Sequence, residues 1–214
     1  MLSFLSFLLF PVLIFFGTFD LQAQTPAPQT KATDAPIEVL IRDQFGPHVE
    51  VAGGVKSTVL KGDFNGDGKP DIAVLVKPKG KRGELSPGVR LVQTAEGAKD
   101  PAPTAMLNGE NSLAVIHGSA AGWQTPAPNG KFLIYAFGWI GWPGPQTGNL
   151  IVLPKSKQKR DKSGYATLSP QNFVSLPKVI AGDGIVVPTE AGINTFLYWN
   201  GKTYRFWVDP GETP

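Results

Sequence analysis

Short apolar runs alternate with glycine- and proline-containing segments along the chain from residue 37 onward. The runs are four to seven residues long, rich in Val, Ile, Phe and Tyr, and bounded by turn-forming residues, which is typical of β-strands. The candidate strands are Ile37–Ile41, Val55–Leu60, Ile72–Val76, Val89–Gln93, Ser112–His117, Lys131–Phe137, Asn149–Leu153, Gly184–Val187, Thr195–Trp199 and Thr203–Val208. Helical periodicity is weak, and at most Pro36–Phe45 could form a helix, from its apolar Ile37, Leu40 and Ile41. The pattern predicts a mainly β fold, a small antiparallel β-rich domain.

The last two candidate strands predict a hairpin. Phe196–Trp199 and Tyr204–Trp207 flank the dipeptide Asn200-Gly201. These two residue types favour the left-handed backbone angles of a two-residue hairpin turn. We therefore expect the turn to be centred on Asn200 and Gly201.

The N-terminal segment has the character of a targeting signal. Residues 2–19 are largely apolar and uncharged, and they precede a polar stretch with Ala23 as a plausible cleavage residue. We expect a signal peptide at 1–23, a disordered Pro/Ala/Thr-rich leader at 24–36 and a single β-rich domain at 37–214. This organisation predicts a secreted or periplasmic protein with no membrane span after cleavage. The alternative is an uncleaved membrane anchor, because the apolar run approaches the ~20 residues that span a bilayer.

Composition and charge exclude several kinds of site. The chain has no cysteine and two histidines, so disulfides, thiolate catalysis, cysteine-ligated zinc and a three-histidine zinc site are excluded. The net charge is +3, and basic residues cluster at 77–82 and 155–162 beside Pro, Gly or Ser, where solvated loops are expected. An acidic polymer or anionic lipid is the alternative ligand for these clusters. Because no aromatic residue lies between these lysines, nucleic acid is not an expected partner.

One motif indicates specific chemistry. The stretch Gly-Asp-Phe-Asn-Gly-Asp-Gly-Lys-Pro-Asp-Ile-Ala, which begins at residue 62, places oxygen-bearing side chains at Asp63, Asn65, Asp67 and Asp71. Ca2+ prefers six to eight oxygen ligands, and a tight loop turns alternate side chains inward. We therefore predict a Ca2+ site formed by these four side chains and the main-chain carbonyl of Lys69, with Asp71 bound directly or through water. The alternative is a polar turn whose Asp and Asn side chains only bond neighbouring backbone amides.

A family resemblance supports the metal-site interpretation. The segment Leu60–Val74 resembles an FG-GAP or VCBS-type repeat, the calcium-loop unit of integrin-α-like propeller proteins. The resemblance implies a Ca2+ loop that joins two strands, and a role in extracellular adhesion or recognition. An EF-hand is not indicated, because the twelfth loop position is Val74 rather than a bidentate Glu. The chain as a whole resembles bacterial secreted proteins of unknown role.

A complete propeller is not expected. Propeller blades bury their faces against neighbouring blades, so several copies of the repeat are needed. Four or more four-stranded blades need a longer chain than these 214 residues. A search for a second copy finds only Ala181–Val186, which contains one Asp and no series of ligands. The sequence therefore predicts one calcium-loop hairpin within a small β-rich domain.

The function expected from these features is non-enzymatic recognition or a structural role, and no catalytic residue is identified. Trp139 and Trp142 could instead contact an extracellular protein or a glycan, although a buried strand face is the simpler interpretation of such aromatic residues. A secreted polysaccharide hydrolase with structural Ca2+ is a further alternative. Its paired carboxylates would come from Glu84, Glu110 or Glu190.

Overall fold

A computed structural model describes residues 36–52, 59–93, 101–108, 111–123, 129–135, 150–159, 165–169, 172–188 and 194–208. The described chain begins with one helix, α1 (Ile37–Phe45). The strands are β1 (Val49–Val51), β2 (Val59–Gly62), β3 (Asp71–Pro78), β4 (Val89–Gln93), β5 (Ser112–His117), β6 (Gly130–Tyr135), β7 (Ile151–Leu153), β8 (Tyr165–Ser169), β9 (Asn172–Ser175), β10 (Gly184–Pro188), β11 (Asn194–Trp199) and β12 (Tyr204–Val208). Single turns of 3-10 helix lie at Arg82–Glu84 and Lys155–Lys157.

The strands form two larger sheets and a separate hairpin. The first sheet has the order β1-β3-β5-β6-β4, with β2 also paired to β3, and the second has the order β12-β11-β10-β7. Every pair is antiparallel except β4 with β6, which is parallel. Among the described strands, β8 and β9 pair only with each other. The predicted mainly β fold class is confirmed.

The first sheet is buried on both faces, which explains the nearly continuous apolar runs of its central strands. Alternate residues of β3, β5 and β6 point to opposite faces. One face packs against α1. The buried residues of this helix–sheet layer include Ile41 and Phe45 from α1 and Ile72, Val74, Val76, Ala114, Ile116 and Leu133 from the sheet. The other face packs against the second sheet, and its buried residues include Leu60, Phe64, Ala73, Val115, Phe132, Ile134, Ile185, Val187, Leu197 and Tyr204. The core is therefore built in three layers, one of helix and two of sheet.

Several local predictions need correction. The strand predicted at Ile37–Ile41 is wrong, and the helix considered for Pro36–Phe45 is present as α1, because α1 buries Leu40, Ile41 and Phe45 on one side against the first sheet. Strands β1, β8 and β9 were not predicted from the apolar pattern. The hairpin of β11 and β12 exists, but the turn predicted at Asn200-Gly201 is misplaced. Strand pairing ends with Trp199 opposite Tyr204, and the Asn200 N–H donates to the Thr203 carbonyl, so the turn is centred one residue later.

Within the described ranges, no helix is long and apolar enough to cross a membrane. The predicted signal peptide and leader lie outside the described residues except for Pro36, which precedes α1. Trp139, Trp142, Glu110 and Glu190 also lie outside them. The described residues all fall within the unit Thr33–Pro214.

Candidate metal centre

The loop with the clustered oxygen donors connects β2 to β3. The two strands pair antiparallel from Val59 opposite Val74 to Gly62 opposite Asp71. Residues 63–70 therefore form the connection of a hairpin, and Asp71 is the first residue of the outgoing strand. The predicted strand-loop-strand arrangement is present, and no helix flanks the loop.

Asp63 organises the loop by accepting three backbone amides. Its Oδ1 accepts the N–H groups of Gly66 and Asp67 at 2.9 and 3.0 Å, and its Oδ2 accepts the N–H of Gly68 at 2.9 Å. Gly66 and Gly68 have φ angles of +78° and +79°, which glycine adopts without the steric penalty of other residues. These two glycines allow the chain to curl around the Asp63 carboxylate.

Asn65 and Asp67 extend the same pattern toward solvent. The Asn65 Oδ1 accepts the Asp67 N–H at 2.9 Å, so one amide hydrogen is shared by oxygens of Asp63 and Asn65. The Asp67 Oδ1 accepts the Lys69 N–H at 2.9 Å, and its Oδ2 lies 3.4 Å from the Asn129 Nδ2. Partial burial raises the pKa of Asp67, but these hydrogen bonds and the nearby Lys69 ammonium outweigh it and lower the pKa below its usual value. Asp67 is therefore ionised at neutral pH.

Asp71 lies beneath the loop with no solvent exposure. Its Oδ2 accepts the N–H groups of Phe64 and Asn65 at 2.8 and 3.2 Å, and its Oδ1 accepts the N–H of Gly118 at 2.8 Å. Burial raises the pKa of Asp71 to about 6, against the lowering effect of these three amides. Asp71 thus joins the start of the loop to the residue that follows β5.

The structure brings the side chains of the predicted loop residues together, and their oxygens accept hydrogen bonds from backbone amides. Among the residues that the structure describes, no group of three or more His, Asp or Glu side chains is arranged to hold a metal ion. These hydrogen bonds are of the kind that the polar-turn alternative predicts.

The donor set nevertheless has capacity for a hard cation. An ionised carboxylate offers about four lone-pair sites, and an amide oxygen offers two. Asp63 and Asp71 each accept three hydrogen bonds, and Asn65 Oδ1 accepts one. Asp67 is the most accessible of the three carboxylates, since Asp63 is half-buried and Asp71 is buried. The oxygen chemistry therefore fits Ca2+, with Asp71 serving mainly to hold the loop.

A residue far away in the sequence also contacts the loop. The Asp63 N–H donates to the Asp183 Oδ2 at 2.8 Å, and the Asp183 N–H donates to the Asp63 carbonyl at 2.7 Å. Asp183 belongs to Ala181–Val186, the segment with one Asp that sequence comparison with the loop singles out. In the sequence, this segment shares only the dipeptide Gly-Asp with Gly62-Asp63. So short a match does not predict that Asp183 contacts Asp63.

Comparison with known families agrees with the position of this loop. The family model of the FG-GAP repeat matches residues 57–75, which include the predicted segment Leu60–Val74. Residues 57–75 thus form an FG-GAP repeat, and this repeat lies within a β-rich domain. No curated protein and no solved structure shows significant similarity to the chain.

Of the three carboxylates considered for hydrolysis, Glu84 lies among the residues that the structure describes. Glu84 is exposed, accepts the Lys81 N–H at 2.8 Å, and lies 3.8 Å from His48 between Oε2 and Nε2. Because Glu110 and Glu190 lie outside the described residues, the structure gives no arrangement of a carboxylate pair.

Proposed function

We propose that this chain is an exported Ca2+-binding β domain with a non-enzymatic role in recognition or structure. The observation that carries the proposal is the loop at 63–70, where main-chain amides fix the Asp63 and Asn65 oxygens beside the accessible Asp67 carboxylate. Export rests on the apolar, uncharged segment at 2–19. The match to the FG-GAP repeat at 57–75 supports the same function.

Asp63, Asn65, Asp67 and the carbonyl of Lys69 would hold the ion, and Asp71 would support them from below or complete the set. The bound ion supplies positive charge that offsets the repulsion between neighbouring carboxylates. The chain's own contribution is to hold the oxygens in place before binding, through the amides of Gly66, Asp67 and Gly68. A preorganised loop between two strands would therefore lose little freedom on binding.

Ca2+ should raise the melting temperature of the mature chain. A ligand that binds only the native state, present at about 100 times its Kd, adds about 2.7 kcal/mol to the free energy of unfolding. For a chain of this size this corresponds to a rise of about 5–10 °C. The measurement is calorimetric melting in excess EGTA, in Ca2+ and in Mg2+. Equal melting temperatures in EGTA and Ca2+, with no heat of Ca2+ binding, would eliminate the proposed site.

The loop offers a matched pair of variants for locating the ion. Asp67→Ala removes an accessible carboxylate and should weaken Ca2+ binding by at least about tenfold. Lys69→Ala keeps the proposed carbonyl ligand and should change the affinity by less than about twofold, since the ammonium is not a ligand. Isothermal titration of both variants gives the comparison. Equal weakening by the two substitutions would show that the proposed coordination is wrong even if Ca2+ binds elsewhere.

A further inference from the structure

We propose that Asp183 is a positioning residue for the Ca2+ loop, so that the affinity of the site depends on a residue outside the FG-GAP repeat. This inference rests on the proposed function and adds a residue that neither the loop motif nor the family match contains. Asp183 is 120 positions away from Asp63 in the chain. It acts on the loop through Asp63, whose side chain organises the other donors.

The contact between these two residues is reciprocal. Asp183 accepts the Asp63 N–H on Oδ2 at 2.8 Å and donates its own N–H to the Asp63 carbonyl at 2.7 Å. Both main-chain polar groups of Asp63 are therefore occupied by one residue. Because the Asp63 carboxylate in turn accepts the amides of Gly66, Asp67 and Gly68, a shift of the Asp63 main chain would displace the whole loop.

The segment that carries Asp183 lies directly against the loop backbone. A Cβ at Gly182 would come within 2.2 Å of the Asp63 carbonyl oxygen and 2.6 Å of the Gly66 nitrogen. A Cβ at Gly66 would come within 2.4 Å of the Ala181 carbonyl oxygen. The two backbones approach so closely that only glycine fits at both positions. The position of one segment therefore fixes the position of the other.

Asp183 is itself held by the second sheet and the turn after β7. Its Oδ1 accepts the Lys155 N–H at 2.7 Å, and the Ala181 N–H donates to the Trp199 carbonyl at 2.9 Å. The Gln158 Nε2 donates to the Gly182 carbonyl at 2.9 Å, and the Lys155 Nζ donates to the Ile180 carbonyl. These bonds fix the segment independently of the loop, as a positioning residue requires.

The consequence is a loop whose geometry is set from outside. Residues that orient metal ligands without touching the metal typically change affinity 10- to 100-fold when they are replaced. Asp183→Ala removes the acceptor of the Asp63 N–H and should weaken Ca2+ binding by about 10- to 100-fold. Asp183→Asn retains one acceptor oxygen, which can still accept the Asp63 N–H. The Lys155 N–H then loses its acceptor but is exposed and can bond water, so the affinity should lie within about threefold of the parent.

The test is isothermal titration of Ca2+ into the parent chain, Asp183→Ala, Asp183→Asn and a control, Asp43→Ala. Asp43 is exposed on α1, so its replacement removes one negative charge without touching the loop. Titrations are run well below the melting temperature of each variant, where a loss of stability alone leaves the affinity unchanged. In EGTA, amide exchange at Asp63 should be faster in Asp183→Ala than in the parent and in Asp183→Asn. Should Asp183→Ala not fold, Asp183→Ser removes the same carboxylate and takes its place.

Each outcome decides the matter. Weak binding by Asp183→Ala, recovery in Asp183→Asn and unchanged binding by Asp43→Ala support the inference. Parent-like affinity in Asp183→Ala overturns this inference alone and leaves the proposed function standing. Equal weakening in Asp183→Ala and Asp183→Asn also overturns it, because an acceptor kept for the Asp63 N–H then gives no recovery. A parent chain that binds no Ca2+ overturns both the proposed function and this inference.

Discussion

Replacing Asp71 with alanine is expected to lower the free energy of unfolding by about 3 kcal/mol or more, even without Ca2+. The Asp71 side chain has no solvent exposure and accepts amides of Phe64, Asn65 and Gly118. A buried donor that loses its partner costs about 1–3 kcal/mol, and here the bonds to Phe64 and Gly118 are buried. The expected loss is smaller than the sum of the penalties for the unpaired amides, because the variant no longer buries a carboxylate. Urea unfolding in excess EGTA measures the difference.

Asp67→Ala is the matched control for this experiment. Asp67 is exposed, and the main-chain amide that its carboxylate accepts, that of Lys69, also lies in the exposed part of the loop. Water can replace that bond, so the loss should be below about 1 kcal/mol. Asp71→Asn, which keeps one acceptor oxygen, should fall between the two. If Asp71→Ala and Asp67→Ala are equally stable in EGTA, the buried amide contacts of Asp71 do not hold the loop.

Several strands of the first sheet could be predicted because their buried residues form a local apolar pattern in the sequence. Val89–Gln93 and Ser112–His117 have the predicted bounds, and Ile72–Val76 lies within β3. Ile72–Val76 and Leu113–Ile116 are apolar on both faces, since one face contacts α1 and the other the second sheet. Val89–Gln93 forms the edge strand β4 and includes the exposed Arg90. A continuous apolar run of four or five residues between polar or turn-forming residues favours a strand that is buried on two sides.

The elements that were missed depend on partners rather than on their own residues. Strand β1 has three residues, Val49–Val51, and exists through its pairing with Val76–Pro78 at the end of β3. Strands β8 and β9 contain several polar residues, and within the described part of the chain each has the other as its sole pairing strand. Strand propensity reflects the neighbouring strand as much as the sequence, so such segments give a weak local signal.

At the candidate site, too, the features that could be predicted are local in sequence, and those that could not depend on distant residues. The spacing of Asp63, Asn65, Asp67 and Asp71 identifies the loop because all four residues lie within one short turn. The role of Asp71 as a buried acceptor for Gly118 was not predictable, because that amide lies 47 positions away. Asp183, 120 positions from Asp63, was beyond any local pattern for the same reason. Local spacing identifies candidate donors, and only the fold identifies what holds them.

The second large effect is expected at His117 on acidification. His117 ends β5 with 4% of its surface exposed, and its Nε2 lies 2.7 Å from the Tyr204 Oη. Its ring also contacts Phe132 and Trp199, with centroids 4.8 and 5.1 Å apart. Burial lowers the pKa of His117 to about 4, aided by Arg90 and opposed by Asp67. His117 is therefore neutral in the folded chain at pH 7.

The sign of the pH effect follows from comparing the two states. Between pH 6.5 and 4 the unfolded chain binds a proton at His117 that the folded chain does not, so stability falls as the pH falls. A pKa difference of this size lowers the free energy of unfolding by about 3 kcal/mol at pH 4 and has little effect above pH 6.5. Asp71, whose folded-state pKa is raised to about 6, acts in the opposite direction over part of this range. The effect of His117 must therefore be measured against a variant that keeps Asp71.

His117→Gln is that variant, since it retains a polar group beside Tyr204 but does not titrate. Urea unfolding of the parent and the variant in EGTA at pH 7 and pH 4.5 gives two stability differences. The difference in free energy of unfolding, parent minus variant, should fall by about 2–3 kcal/mol from pH 7 to pH 4.5. Only the parent has an imidazole that stays neutral in the folded chain and is protonated in the unfolded chain at the lower pH. Carbon-13 NMR of the His117 ring should show no titration above about pH 5. A titration midpoint near 6.5, or a stability difference that does not change with pH, would mean that His117 is not held neutral between the two sheets.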